Sequence, residues 1–540
     1  TSYGWRFLNL VVGALMVGVI YLFGKRLLGS TLFASIAAGL MLFDGFHFTQ
    51  SRIATPEITV AFLTLTTLYA FYRFWLASRV RIAPLVSRAL NARLSIALVI
   101  GTAVAFGLTI LCLHLVHDTG QGAEFLLFFY FELGIYVAVR LLLPRFVNSP
   151  LLVSYADGAT VRAGSLRTPD GGSIDLGRRQ AVAGETSQAQ QGGGLAIADE
   201  DLRIVYASSG EERYTTPEGE AQFAPAGTMR VGEAVTSGND GMLWLFVLAI
   251  SAGLLGASKW NGLFDFFVVW LIVALVVVQP YVVPLLRGMG LTAVRRPALW
   301  GNPYGFSFDL VVAAMLFIGG TIYALTYIPY FSLGHSLSDL IGLQKEMFGY
   351  HYDLVATHPY SSKWWQWPLL QIPISYYYTD TRHGALANNP AACCLMEILA
   401  LPNPIIWWTG LISVPFIAWL AWKERNKGYT LLVTAYFLQW LPWILSPRIS
   451  FEYHFFPNLA IIVLADAVLL QRIWQRKATA TIGPYGYPQV AVIGYLVLAV
   501  SAFIFWYPVV AGTPETWNAW DARMLPPLEG NNWINPHPGQ

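Results

Sequence analysis

The sequence predicts an all-α polytopic membrane protein with about 11–12 transmembrane helices and a small β-rich soluble insertion. Three observations predict it. Apolar residues make up 55% of the chain and charged residues only 12%, too little charge to cover the surface of a soluble domain of this length. The apolar residues fall in runs long enough to cross roughly 30 Å of hydrocarbon. Lys and Arg gather in alternate loops, the asymmetry that fixes membrane orientation.

The first runs lie near 6–24, 30–49 and 57–76, and the polar stretch Asp44 to Glu57, with Arg52 at its centre, sits between the last two. Ionisable groups at the mouth of an apolar hairpin are costly unless paired, so an arginine and two acids there mark a functional site. Runs near 94–116 and 124–144 follow; Glu132, alone in the second, is expected to bond a neighbouring helix or to reach a polar cavity. Residues 146–240 break the pattern with Gly, Ala, Ser, Gln, acids, Asp-Gly turn signals and short alternating stretches such as Ile204-Val205-Tyr206, which reads as a β-rich and partly flexible insertion. Runs near 241–258 and 263–286 flank Lys259-Trp260, and another lies near 306–328.

A long loop over 329–402 is packed with Trp, Tyr and His, most densely from His351 to Pro368. Its tryptophans suit an interfacial belt, whereas His358 and Lys363 are groups that a belt does not need. Runs near 403–422, 428–446, 455–470 and 489–510 complete the set, with Arg448, Glu452, Tyr453 and His454 just before the third of these. The divisions expected are therefore a transmembrane part over 1–145, the insertion over 146–240, a second transmembrane part over 241–510, and an irregular outer Pro/Trp-rich tail over 511–540.

Lys25 and Arg26, then Arg73 to Arg93, Arg140 and Arg145, Arg287 to Arg296, Lys423 to Lys427, and Arg472 to Lys477 occupy one set of loops, which is assigned to the cytoplasm together with the insertion. Arg52, Lys259, Lys363, Arg382 and Arg448 stand on the opposite side and need a reason of their own. The net charge of +2 gives no pointer to nucleic acid, and Cys112, Cys393 and Cys394 make neither a disulfide framework nor a metal site. The chain opens at Thr1 without an initiator methionine, and a longer parent protein is expected.

In this topology three polar clusters converge on the outer face: Arg52 with Asp44 and Glu57, the pair Lys259-Trp260, and Arg448 with Glu452, Tyr453 and His454. Guanidinium and ammonium groups stabilise a lipid phosphate, most of all as it departs, and aromatic rings can stack on a sugar or line a lipid tail. Each residue also has a structural reading. Arg52 could cap a helix end against Glu57, Lys259 could snorkel to the interface with Trp260 as anchor, and His454 could simply pack.

At these residues the chain resembles the protein O-mannosyltransferases, membrane enzymes of the GT-C fold that use a polyprenyl-phosphate sugar. The resemblance rests on Asp44 through Ser51-Arg52-Ile53-Ala54, on Gly256 to Phe264 around Lys259-Trp260, on His358-Pro359-Tyr360-Ser361-Ser362 with Trp364-Trp365 and Trp367-Pro368, and on Arg448 with Tyr453-His454. It covers most of the chain outside 94–240 and is nearest to bacterial members. Glu57 stands where the family usually has Asp, and the two spans near 94–144 and the insertion are additions to the family pattern.

The resemblance implies transfer of a sugar, mannose by expectation, from polyprenyl phosphate to Ser or Thr hydroxyls of a translocated protein, with inversion, at the outer face of a bacterial plasma membrane. It places Arg52, Lys259 and Arg448 on the donor phosphate, Asp44, Glu57 and Trp260 in support, and His358, Tyr360, Tyr453 and His454 around acceptor or sugar. The family's base is an Asp in an outer loop that precedes Gly4-Trp5-Arg6, so no catalytic residue is assigned within the chain. No cofactor or metal is expected beyond the lipid-linked sugar as co-substrate. The partners expected are that donor, a secreted or membrane protein acceptor, the bilayer and the protein-translocation machinery. Three other readings remain: a transferase of the same fold acting on a glycolipid or cell-wall glycan, a transporter or flippase, and a chain that, without the family's acidic first loop, is inactive or complements a partner. Against the transporter, the sequence shows no matched inverted repeat or paired broken helices.

Overall fold

The computed structural model describes residues 2–77, 88–116, 123–146, short strands between 153 and 222, and 238–289, 308–354, 356–381, 395–424, 426–446, 448–525 and 533–534. Arg79, Arg81, Arg295, Arg296, Arg382, Cys393, Cys394 and Arg425, among the cations and cysteines considered above, lie outside the described residues.

Helices dominate. In chain order they are α1 (Ser2–Leu28), α2 (Thr31–Leu42), α3 (Gly45–Gln50), α4 (Glu57–Ala77), α5 (Arg88–Val116), α6 (Ala123–Phe146), α7 (Gly238–Ser258), α8 (Leu263–Gly288), α9 (Phe308–Leu325), α10 (Ile328–Ser332), α11 (Leu337–Asp353), α12 (Pro404–Glu424), α13 (Lys427–Trp440), α14 (Pro457–Trp474), α15 (Tyr487–Ala511) and α16 (Trp517–Arg523). Each apolar run read from the sequence overlaps a helix, although the runs over 30–49 and 428–446 are each divided. Among the described residues, α1 from Arg6, α12, α14 and α15 are long and apolar enough to cross a membrane, and shorter apolar helices lie over Thr31–Leu42, Ile96–Cys112, Leu243–Ser258, Trp260–Leu275 and Leu310–Leu325.

The sequence sets the ends of these helices. Ser30 and Asn426 cap α2 and α13 by accepting backbone N–H bonds, and Pro404 and Pro457 open α12 and α14, where a missing N–H costs nothing. The run expected over 30–49 is not one helix. Asp44 takes an extended conformation and accepts from Phe46 N (2.9 Å) and His47 N (3.0 Å), which ends α2 and starts α3.

The chain divides into two compact units. The first holds residues 1–69, 254–268 and 343–540. Its centre is α14, buried along nearly its whole length and packed by α1, α2, α12, α13 and α15. Gly410 of α12 lets that helix close on α14, since a Cβ there would meet Ile462 at 2.9 Å. Buried Asp466 of α14 accepts from Ser413 Oγ (2.5 Å) and Tyr495 OH (3.2 Å), tying three helices through one carboxylate.

The long aromatic loop of this unit is largely ordered. It contains α11 and an antiparallel hairpin, β9 (Ser375–Asp380) with β10 (Leu395–Leu399), in register Leu395↔Asp380 to Leu399↔Ser375. The tail over 511–540, expected to be irregular, carries α16 and closes on that hairpin. Glu515 bridges Leu395, the Trp520 indole donates to Glu397 (2.6 Å), and the Trp533 indole donates to Leu369 O (2.9 Å). Leu399, Leu401, Val509, Val510, Met524 and Ile534 bury a shared apolar cluster there, which supplies the driving force.

The second unit holds residues 70–253 and 269–342. Here α5 packs on α6 and α6 on α9. Glu132 accepts from Thr102 Oγ across the α5–α6 pair (2.9 Å), the helix-to-helix bond expected of it. The backbones of α7 and α9 meet at Gly253, where an added Cβ would lie 2.5 Å from Gly319 O. Between 153 and 222 the described segments are strands: an antiparallel meander of β1 (Val153–Ser154), β2 (Thr160–Arg162), β3 (Ser165–Arg167) and β4 (Ser173–Asp175), then the hairpins β5 (Ala196–Ala198) with β6 (Arg203–Val205) and β7 (Tyr214–Thr215) with β8 (Ala221–Gln222). A last small hairpin, β11 (Thr481–Ile482) with β12 (Tyr485–Gly486), belongs to the first unit.

Candidate functional site

The sequence-predicted residues divide into a cationic cluster, an arginine outside its contacts and a set of structural supports, all within the first unit. The cluster forms where the turn after α7, the end of α11 and the segment before α14 meet. Lys259 donates to Glu57 Oε1 at 3.0 Å, and its ammonium lies 4.8 Å from the centre of the Tyr453 ring. The Arg448 guanidinium donates to His351 Nδ1, near the end of α11. The His351 ring lies 6.5 Å from that of Trp260, which also faces Phe348.

Electrostatics tie these contacts together. Burial, then the charges of Arg448 and Lys259, hold the His351 imidazole below its ordinary pKa. Burial is the main cause that pushes the Tyr453 hydroxyl up to about 12, with Glu57 adding to the shift and Arg448 opposing it. The result is Arg448, a Lys259 paired with Glu57, and a neutral imidazole beside aromatic rings, chemistry able to hold a compact anion and a ring-shaped neighbour.

Arg52 takes part in none of these contacts. Its guanidinium stacks on Phe48, 4.7 Å from the ring centre, and among the described residues no carboxylate pairs with it. Two supporting roles therefore need correction. Glu57 does not hold Arg52, because its carboxylate is engaged by Lys259. Asp44 does not either: one oxygen caps α3 and the other accepts from Asn403 N at 2.9 Å. A fully buried Asp with three backbone donors is a structural fastener, and its sequence position beside Arg52 misled the reading.

His454 is likewise a packing residue. It is 2% exposed, its ring lies 4.0 Å from Trp443 and 4.5 Å from Tyr453, and Phe451 N–H donates to its Nδ1 at 3.1 Å. Burial and the nearby Lys259 and Arg448 charges hold it neutral, well below the usual histidine range. His358 is exposed and packs edge-on to Phe451 at 5.3 Å, with Tyr360 at 5.7 Å. The next residues of that motif join the Arg448 segment directly: Ser362 N–H donates to Ser450 O (2.9 Å) and Ser450 Oγ to Ser362 O (3.0 Å). The Trp367 indole, 1% exposed, donates to Ser362 Oγ (3.0 Å), so this tryptophan is a core anchor rather than a belt residue.

Sequence reasoning missed three contributors. His351 opened the aromatic stretch without being singled out from it. Tyr376 accepts from Gln50 Nε2 (3.0 Å), and Gln50 in turn accepts from Thr55 Oγ (3.1 Å), linking β9 to the segment around Arg52. Asn9, 6% exposed on α1, was hidden inside an apolar run; a polar residue there was the one available signal.

Comparison with known proteins gives concordant matches. Residues 1–155 match the family model described as dolichyl-phosphate-mannose-protein mannosyltransferase, and residues 336–527 match the C-terminal four TMM region of protein-O-mannosyltransferase. Together these cover well over half of the chain. The polyprenol-phosphate-mannose–protein mannosyltransferase of Mycobacterium tuberculosis (strain CDC 1551 / Oshkosh) is 26% identical over 316 residues, 51% of this chain and 56% of that protein. The Corynebacterium glutamicum protein of the same description is 25% identical over 296 residues, 50% of this chain and 54% of its own. The chain thus spans about half the length of the curated relatives it matches. A solved structure of the S. cerevisiae protein O-mannosyltransferase complex bound to the sugar donor aligns over 97% of this chain and 80% of its own, with 12% identity and a TM-score of 0.41.

Proposed function

The chain belongs to the protein O-mannosyltransferase family, and from that premise we propose that it carries the donor side of an inverting membrane glycosyltransferase. The enzyme moves mannose from polyprenyl phosphate to Ser or Thr hydroxyls of translocated proteins at the outer face of a bacterial plasma membrane. The observation that carries this reading is the meeting of Lys259 and Arg448 about His351, above the Tyr453 ring and beside Trp260.

The chemistry follows from the charges. The acceptor hydroxyl attacks the anomeric carbon from the face opposite the phosphate; a new carbon–oxygen bond forms as the bond to phosphate oxygen breaks. The departing electron pair stays on the lipid phosphate, where Lys259 and Arg448 stabilise it, and the acceptor proton passes to a general base. Arg52 is the further phosphate contact: a guanidinium with no carboxylate partner among the described residues and one face on Phe48 keeps its donor edge for an anion. Tyr453 and Trp260 supply the aromatic surfaces for the sugar. The only co-substrate is the lipid-linked sugar, with no resident cofactor.

The test is transfer of radiolabelled mannose from polyprenyl phosphate to a Ser/Thr peptide by membranes carrying the full-length protein. Arg448→Ala and Arg52→Ala are expected to lose transfer by about a hundredfold or more while the protein still accumulates. Normal turnover by both variants would sink the phosphate assignment. Transfer to extracted lipid or glycan with none to peptide would move the acceptor to that class.

A further inference from the structure

Arg52 lies on a short connection between α3 and α4, and the structure shows what holds that connection in place. Asn9, in the first third of the apolar helix α1, sends both amide hydrogens across to it: Nδ2 donates to Ile53 O at 2.6 Å and to Thr55 O at 2.7 Å. One turn further along the same face of α1, Gly13 O accepts from His47 Nε2 at 3.2 Å. Gly13 also permits the approach itself, since a Cβ there would stand 2.6 Å from Ser51 Cβ. The connection is thus gripped before and after Arg52, while Phe48 supports the guanidinium from beneath.

The physics favours a fixed geometry. The connection itself is partly exposed, with Ala54 and Pro56 open to solvent, but the Asn9 amide is buried on α1 and must find acceptors there. Here the Ile53 and Thr55 carbonyls satisfy it, 44 and 46 residues apart in sequence, so the connection cannot move without leaving the amide unpaired. A leucine at position 9 would suit an apolar helix better, which makes the asparagine a choice that α1 alone does not explain.

We propose that Asn9 is a positioning residue for lipid-phosphate binding: together with Gly13 it clamps the Ser51–Pro56 connection so that Arg52 faces the donor phosphate. This rests on the assignment of Arg52 to that phosphate. Asn9 touches no substrate and acts only through Arg52.

The test measures binding of radiolabelled polyprenyl monophosphate to the purified full-length protein, alongside its thermal unfolding, for Asn9→Leu, Arg52→Ala and the double variant. Asn9→Leu is expected to weaken binding about tenfold per folded molecule. The double variant should bind no more weakly than Arg52→Ala, because a clamp has nothing to position once the guanidinium is gone. Gly13→Ala, which displaces Ser51 by contact instead, should weaken binding in the same non-additive way and serves if Asn9→Leu does not accumulate. Parent-like affinity in Asn9→Leu or Gly13→Ala beside a defective Arg52→Ala overturns the clamp alone, as do losses that add. Parent-like affinity in Arg52→Ala overturns both the clamp and the assignment beneath it. A merely structural asparagine would lower the unfolding temperature and leave the affinity of the folded fraction unchanged.

Discussion

At the scale of single residues, the site is organised by who is already paired. Glu57 neutralises Lys259, His351 accepts from Arg448, and Arg52 keeps its guanidinium off the carboxylates. His351 makes this measurable. Its pKa is held below the ordinary 6.5 by burial and the two cations. Above that value both the native and the unfolded chain carry a neutral imidazole; below it the unfolded chain takes up a proton that the native chain resists, so stability falls as pH falls. The unfolding temperature of the parent should therefore drop more between about pH 7.5 and about pH 5.5 than that of His351→Gln. A bound phosphate reverses the sign: an anion beside the ring favours its protonation. Affinity for polyprenyl phosphate should rise as pH falls through the same window, and that rise should vanish in His351→Gln. The residue types of this site were legible in the sequence, but their pairing was not. Asp44, Glu57 and Arg52 are neighbours along the chain, and only the fold sends one acid to Asn403 and the other to Lys259.

At the scale of elements, apolar runs located the long apolar helices of the described residues, since each must bury or present to lipid an apolar surface, but not α11, which lies inside the stretch read as a loop. What it could not locate were breaks decided by one side chain. Asp44 divides α2 from α3 and links both to the start of α12 through Asn403, whose side chain donates in turn to Phe43 O (2.9 Å) and Ala499 O (2.8 Å). Asp44→Ala removes a cap and strands a buried Asn403 N–H, and is expected to cost about 2–4 kcal/mol in denaturant unfolding. Asp44→Asn keeps one acceptor for the cap and should cost less. Equal losses in the two variants would mean that charge, not hydrogen bonding, is what the position requires. The order within the aromatic loop was equally hidden, because its stability comes from partners far along the chain: Ser450, Trp407 and the residues beyond Ala511.

At the scale of the whole molecule, the reading was carried by composition and by the alternation of basic loops, neither of which depends on detailed packing. That alternation makes a prediction of its own. In a background without native cysteines, Lys363→Cys should react with a membrane-impermeant thiol reagent applied from outside intact cells, and Gly192→Cys should react only after the membrane is opened. The reverse pattern would invert the protein and move the cationic cluster to the cytoplasm. The family matches at both ends of the chain leave the stretch between 155 and 336 uncovered, and the insertion over 146–240, most of which lies there, gave the sequence reading least to work with. Short strands pair locally without an apolar face large enough to announce how they assemble.

The closure of the aromatic loop by the C-terminal residues also sets an order of events during synthesis. Glu397 waits for Trp520, 123 residues later, and Leu369 for Trp533, 164 residues later. Helices α1, α2 and α4 can therefore insert while the ribosome is still attached, but β9 and β10 gain their last partners only after the segment beyond α15 has been translated and delivered to the same side of the membrane. A nascent chain paused before Glu515 holds the cationic cluster and lacks the finished loop beside it. The loop thus gains its last contacts only once the residues from Glu515 to Trp533 have been made.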